Sequence, residues 1–206
     1  NPNFTRVRGA LEIPVERVTK FFVNKTPLFT IPVEMPSETD SKIADYIAEM
    51  IHDGDCIQLG IGRLPDAVAV RLAEKNDLGL HTEMLTSNCA KLIRKGNITG
   101  KYKQIETGLH YGAFALGSEE LYEIISSDSN CVLAPASYVN DPHVISQIDN
   151  MKSINTCMEI DLTGQICSES IGSVQFSGTG GAADFAAGAF RSKNRLYLFY
   201  EWSQPH

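Results

Sequence analysis

The sequence predicts an α/β protein built on an open, mostly parallel sheet flanked by helices. Three observations predict it. Apolar, strand-like runs alternate with amphipathic helical stretches along most of the chain. A strand at Asp55–Leu59, a helix from Pro65 to about Glu74 and a strand at Leu78–Leu85 follow one another, and a strand–helix–strand unit of this length implies parallel strands with a right-handed crossover. Glycine-rich or polar turns also follow the strand ends, at Gly60-Ile61-Gly62 and Thr86-Ser87-Asn88. Ligands of parallel sheets bind at such carboxyl ends.

The remaining elements follow in order. Residues 1–36 read as an irregular or short-stranded entry, with mixed strand and turn signals at Leu11-Glu12-Ile13-Pro14 and an extended Lys25–Pro32. Residues before a proline are pushed out of the α region, which accounts for the latter. Pro36–Asp40 supplies helix caps and an acidic first turn, and Ile43, Ala44, Ile47, Ala48, Met50 and Ile51 recur at helical spacing up to Gly54. After the strand–helix–strand unit, Cys89–Lys95 reads as a short helix closed by Gly96, and 101–116 as strand segments, best at His110–Ala115. Ser118 caps a helix over Glu119–Ser126, Cys131–Ala134 is a buried strand, and Asp141-Pro142 opens a helix to about Ile148. Two strands are expected between Ser153 and Ile171, turned at Thr163-Gly164. The glycine loop then feeds a small-residue helix, Ala182–Ala189, and Leu196–Tyr200 is a strand before the chain ends at Glu201–His206.

Composition narrows the function. The 206 residues suit one domain with a sizeable core, and 43% hydrophobic with 21% charged residues argues against disorder. The net charge of −7 comes without any basic run, so nucleic acid is not an expected partner. The five cysteines form no C-x-x-C pair and are expected as buried free thiols in a reducing compartment. No apolar run has the length to span a bilayer, so no membrane partner is expected. The chain opens on Asn1-Pro2-Asn3, without methionine or signal peptide, and reads as a piece of a longer protein.

Few residues offer chemistry. Glu83 stands where an apolar strand gives way to a polar loop, although Glu is depleted from strands. On its own it reads equally as a solvated strand-end carboxylate or as a nucleophile. Gly60-Ile61-Gly62 begins like a dinucleotide fingerprint, but Pro65 replaces the third glycine. What remains is a tight turn, or a turn offering backbone donors to an anion at a helix N-terminus. Ser177–Phe185 carries three glycines in four residues, at Gly178, Gly180 and Gly181, beside Thr179. Such a loop suits close approach of backbone or ligand, and it lacks the ending of a P-loop. The five histidines have no metal-binding spacing, so no metal is expected, and there is no Gly-x-Ser-x-Gly elbow. Glu159 and Asp161 read as a polar strand face more readily than as a carboxylate pair.

Five ordered segments resemble the acetyl-CoA hydrolase/CoA-transferase family, and within it the 4-hydroxybutyrate and butyrate:acetate CoA-transferases. They are Gln58–Gly62 with Pro65–Val68, Leu78–Met84, Phe114–Tyr122, Tyr138–Pro142, and Glu159–Gln165 running on to Ser177–Gly181. The resemblance implies a NagB/RpiA-like sheet with residues 1–36 left from a preceding domain, and 37–206 as a catalytic-glutamate domain shortened at its C-terminal end. It implies Glu83 as the nucleophile of a ping-pong reaction through a glutamyl-CoA thioester. Backbone at Gly60, Ile61 and Gly62 and at Gly178, Thr179, Gly180 and Gly181 would bind coenzyme A and hold the oxyanion. The implied partners are an acyl-CoA and a short-chain carboxylate, with coenzyme A as substrate and no permanently bound cofactor. A homodimer in the cytoplasm, or in the mitochondrial matrix or a related organelle of a eukaryote, is also implied. Acyl-CoA hydrolysis and a silent acyl-CoA-binding domain are the alternatives. Arg63, where the family carries a small residue, pairs with a phosphate or carboxylate of the substrates or blocks the pocket.

Overall fold

The computed structural model describes residues 1–9 and 12–201. The strand and turn signals at Leu11 and the chain end after Glu201 lie outside the described residues. The strands of the main sheet are β1 (Arg8–Gly9), β2 (Cys56–Leu59), β3 (Gly79–Leu85), β4 (His110–Ala115), β5 (Cys131–Leu133), β6 (Met151–Cys157) and, after two small hairpins, β11 (Leu196–Glu201). They lie in the order β1-β5-β4-β3-β2-β6-β11, and every pairing is parallel. The sheet is thus wholly parallel.

From β2 the chain winds outward through β3, β4 and β5, then returns to lay β6 on the other side of β2. That reversal makes a switch point at β2/β6, where the carboxyl ends of parallel strands open a crevice. Helices α1 (Glu38–Glu49), α2 (Arg63–Arg71), α3 (Ser87–Lys95) and α4 (Glu119–Ser127) supply Ala44, Ile47, Val68, Cys89, Leu92 and Leu121 to one core, against Ile57, Leu80 and Ile154 of the sheet. On the other face α5 (Ala136–Val139), α6 (Pro142–Ile145) and α7 (Ala182–Arg191) pack Val139, Ile145, Phe185 and Ala189 with Cys56 and Met151. The alternation of strand side chains sorts β3 between the two: Leu80 enters the first core, and His81, one residue on, touches Phe185 in the second. Among the described residues no helix is long and apolar enough to cross a membrane.

Local chemistry fixes the boundaries. The Ser37 hydroxyl accepts the Asp40 N–H while Asp40 Oδ2 accepts the Ser37 N–H, a complete capping box that starts α1. The Thr86 hydroxyl caps α3 by accepting the Cys89 N–H, so Ser87 and Asn88 are buried first-turn residues rather than loop. Gly96, at φ 80°, closes that helix.

Other expectations are corrected. Residues 101–109 form turns, not strand: Gly100, Glu106 and Gly108 all have positive φ, which breaks the extended run and turns Lys103 inward. The helix expected to reach Ile148 stops at Ile145, and residues up to Ile148 continue in i→i−3 turns; α5 was not foreseen. The stretch Ser153–Ile171 divides into the sheet strand β6 and a separate antiparallel hairpin, β7 (Glu159–Ile160) with β8 (Ile166–Cys167), turned at Thr163-Gly164 as expected. A second hairpin, β9 (Ser170–Ile171) with β10 (Val174–Gln175), follows. Asp161 lies in the first turn and accepts the Thr163 and Gln165 N–H groups, and Glu159 accepts that of Gly172. Neither belongs to a carboxylate pair. Residues 18–36 carry no regular structure, and Phe21, Phe22 and Val23 stand exposed.

Candidate active site

Glu83 is the fifth residue of β3 and half-buried, while its neighbours Thr82 and Met84 are buried. Its Oε2 accepts the backbone N–H of Gly181 at 3.0 Å. Gly181 is the N-cap of α7 and provides no side chain for the task. Helices α1, α3 and α4 begin with Ser37, Thr86 and Ser118, whose hydroxyls take a first-turn N–H. Helices α2 and α7 begin with Gly62 and Gly181 and have no side-chain cap. A helix start has N–H groups without intrahelical partners, and at α7 the Glu83 carboxylate meets one of them.

Both uncapped ends face one cavity of about 630 Å³. It is lined by Gly60, Ile61 and Gly62, by Glu83, and by Thr179, Gly180 and Gly181. Seven of the eight residues singled out in the sequence therefore meet at one place. Gly178 is the exception: it does not line the cavity, and a methyl group there would touch nothing within 4 Å. The glycines of this loop differ in kind. Gly180 has φ 52°, a left-handed conformation that favours glycine. Only Gly181 is crowded, since a Cβ there would lie 2.5 Å from Glu83 Oε2 and 2.6 Å from Asn140 Nδ2.

Asn140 is the residue that sequence reasoning passed over. It follows α5 directly, and its amide shares the space above Gly181 with the Glu83 carboxylate; its Oδ1 is buried without a hydrogen-bond partner. The available signal was Asn140-Asp141-Pro142, which announces a chain reversal before a helix but not what the amide faces.

The opposite wall is polar and rigid. The Gln58 and Asn155 amides bond each other in both directions, at 2.9 and 3.0 Å, and the Ser153 hydroxyl donates to Gln58 Oε1 at 2.6 Å. Gly60 backs onto this fork: its N–H donates to the Ile154 carbonyl at 2.8 Å, and a Cβ would meet Asn155 Oδ1 at 3.3 Å. Arg63 turns onto α1, with Nε 3.4 Å from Oδ2 of buried Asp40. It ties α2 to α1 at the cavity's edge. Among the described residues that line the cavity there is no histidine and no lysine. Among the described residues no group of His, Cys, Asp and Glu is arranged to hold a metal ion.

Behind Glu83, on the same strand, lies His81, fully buried and bonded through Nε2 to the Val139 carbonyl at 2.8 Å. Burial, followed by the Lys103 charge, pushes its pKa down to about 4. It is neutral at physiological pH.

The chain is similar to known proteins. The family model for the acetyl-CoA hydrolase/transferase C-terminal domain matches residues 117–200. The chain is 40% identical over 189 residues to the succinyl-CoA:cyclohexane-1-carboxylate CoA transferase of Geobacter metallireducens, covering 92% of this chain and 43% of that protein. It is 44% identical over 170 residues to a probable butyrate:acetyl-CoA coenzyme A-transferase of Syntrophomonas wolfei, covering 82% and 38%. The crystal structure of RipA from Yersinia pestis superposes with a TM-score of 0.85 at 37% identity, covering 95% of this chain and 43% of that one. The chain spans less than half the length of the curated relatives it matches. By these likenesses the chain belongs to the acetyl-CoA hydrolase/CoA-transferase family.

Proposed function

We propose that this chain carries the nucleophile of a CoA-transferase that moves coenzyme A from an acyl-CoA to a short-chain carboxylate such as acetate. Glu83 attacks the thioester carbonyl, expels CoA thiolate and becomes an acyl-glutamyl anhydride. The thiolate then attacks the glutamyl carbonyl, releasing the donor's acyl group as a free carboxylate and leaving a glutamyl-CoA thioester. The acceptor carboxylate reverses both steps: it displaces the thiolate to form a new anhydride, and the thiolate takes the new acyl group and frees Glu83. Covalent catalysis of this kind replaces one difficult step by easier ones. The Gly181 N–H, with the backbone N–H groups of Ile61 and Gly62, stabilises the oxyanions; the Gly60 N–H, expected to join them, is taken by the Ile154 carbonyl.

The observation that carries this reading is Glu83 on the Gly181 N–H at the edge of a cavity whose described lining holds no histidine or lysine. Exchange between carboxylates and a thiolate transfers no proton and needs no general base. Hydrolysis, the alternative from the same intermediate, requires one to activate water. Glu83 is then held in a thioester with coenzyme A, Asp40 is engaged by Ser37 and Arg63, and Glu34, which also lines the cavity, is exposed to solvent on an irregular segment. This favours transfer.

Residues 37–206 are proposed as the unit bearing this chemistry and 1–36 as an arm continuing from a preceding domain, without a permanently bound cofactor. The free cysteines, four of them buried and Cys167 partly exposed, support a reducing compartment such as the cytoplasm or an organelle matrix. A homodimer is part of the same proposal, with exposed Phe21, Phe22 and Val23 as apolar surface available to it. The test is acceptor dependence with butyryl-CoA. Acetyl-CoA should form in proportion to acetate, with parallel double-reciprocal lines. CoA release at a rate independent of acetate would overturn the transferase reading.

A further inference from the structure

Two buried ionisable side chains, His81 and Lys103, and the half-buried Glu106, whose Oε2 is buried, share the sheet face under α5 and line no part of the cavity. Burying such groups costs several kcal/mol unless they are paired, and apolar residues of the same volume would often serve stability better. Here the pairing is incomplete: His81 Nδ1 and Glu106 Oε2 face each other at 3.9 Å and neither has a hydrogen-bond partner. Packing alone gives no reason for this cluster.

Its other polar atoms supply one. The Nε2–H of His81 donates to the Val139 carbonyl at 2.8 Å, and Glu106 Oε1 accepts the Tyr138 hydroxyl. These are successive residues of α5, a single-turn helix with no side-chain cap, and a helix that short has no stability of its own. Two side chains therefore pin α5 from below, and the next residue is Asn140, whose amide nitrogen lies over Gly181 on the side where the Glu83 carboxylate also sits. The imidazole also packs at 6.1 Å against Phe185, whose N–H bonds the Gly181 carbonyl at 3.0 Å. His81 thus touches both elements that converge on Glu83. Glu106 is held in a left-handed backbone conformation at φ 52°, a strain that surrounding structure has to enforce.

We infer that His81 and Glu106 are positioning residues, which fix α5 and thereby set the Asn140 amide against the Glu83–Gly181 contact. The inference rests on the reading of Glu83 as the nucleophile. Its test is a set of variants of the full chain, followed by kinetics and by the rate at which butyryl-CoA forms the glutamyl-CoA adduct on Glu83.

His81→Leu keeps the volume and removes the donor. It should lower kcat and slow the adduct by about tenfold or more, with KM for acyl-CoA changed by less than about threefold. His81→Gln, which retains an N–H, should recover most of the loss. The discriminating result is non-additivity: His81→Leu combined with Asn140→Ala should be no slower than Asn140→Ala alone. Losses that multiply, or a rise in KM at constant kcat, would overturn the inference. Should His81→Leu not fold, Tyr138→Phe probes the second pin by the same cycle. An unmodified Glu83 in the parent protein would defeat the nucleophile reading; adduct formation at equal rates in parent and His81→Leu would defeat only this inference.

Discussion

Gly181 donates its backbone N–H to the Glu83 carboxylate at 3.0 Å, joining residues 98 positions apart. The contact fastens the start of α7 to the end of β3. In the proposed reaction it serves twice. The same N–H that caps α7 onto the free carboxylate faces the glutamyl carbonyl oxygen once Glu83 is acylated, where charge builds in each tetrahedral intermediate.

Gly181→Ala tests that contact. Its φ of −97° suits any residue, so the backbone is not the obstacle. The added methyl group would sit 2.5 Å from Glu83 Oε2 and 2.6 Å from Asn140 Nδ2 and must push the carboxylate aside. Adduct formation on Glu83 should fall by about 100-fold, the usual cost of misplacing a reacting group by an ångström. The melting temperature should change little, because the contact lies at a cavity edge. Unchanged adduct formation would show that Gly181 need not be bare.

Gly188→Ala sets two effects of opposite sign against each other. Alanine in a helix interior is favoured over glycine by about 1 kcal/mol. At Gly188, however, a Cβ would lie 2.5 Å from Ile145 Cβ, and α7 packs on α6 through this point. Overpacking of a filled core costs about 1–3 kcal/mol. The collision should win, and the urea midpoint should fall. A rise would mean that α6 and α7 separate freely.

The pH dependence of stability follows from two buried histidines. His81 and His110 are both pushed down to about 4, in each case first by burial. In the unfolded chain both would titrate near 6.5. Between those values the unfolded state binds more protons, so stability is fully present above about pH 6.5 and is lost as pH falls toward 4, at about 1.4 kcal/mol per pH unit for each group. Asp55 and Asp66, raised above 3.8 by burial, take up protons in the folded state and oppose the loss at the acid end of that window. The urea midpoint should be lower at pH 5 than at pH 7.5. A flat profile would contradict the burial of the two imidazoles.

What was legible in the sequence was periodic or carried by turn residues. The helix over Glu38–Glu49 declared itself through Ser37 and the Ile43/Ile47 spacing, and the parallel sheet through the run from Cys56 to Leu85. Gly60–Gly62 and Thr179–Gly181 could be named because glycine turns beside helix starts stand out locally. Asn140 and the His81–Glu106 cluster could not, because their meaning lies in contacts across the sheet. The strand reading of 101–109 failed for a related reason: Glu106 takes a left-handed φ uncommon for its residue type, and its carboxylate accepts the hydroxyl of Tyr138, which lies 32 residues away. Glu83 stood between these cases. Its position at a strand end was plain, but the strand end alone left nucleophile and solvated carboxylate equally open.

The most direct measurement is therefore peptide mass spectrometry of the protein after incubation with butyryl-CoA, with Glu83→Gln alongside. The account predicts coenzyme A attached through a thioester to the peptide containing Glu83, removed by acetate with formation of acetyl-CoA, and no adduct in the variant. A folded, CoA-binding protein that carries no adduct at Glu83, or a Glu83→Gln variant that still transfers CoA, would contradict it.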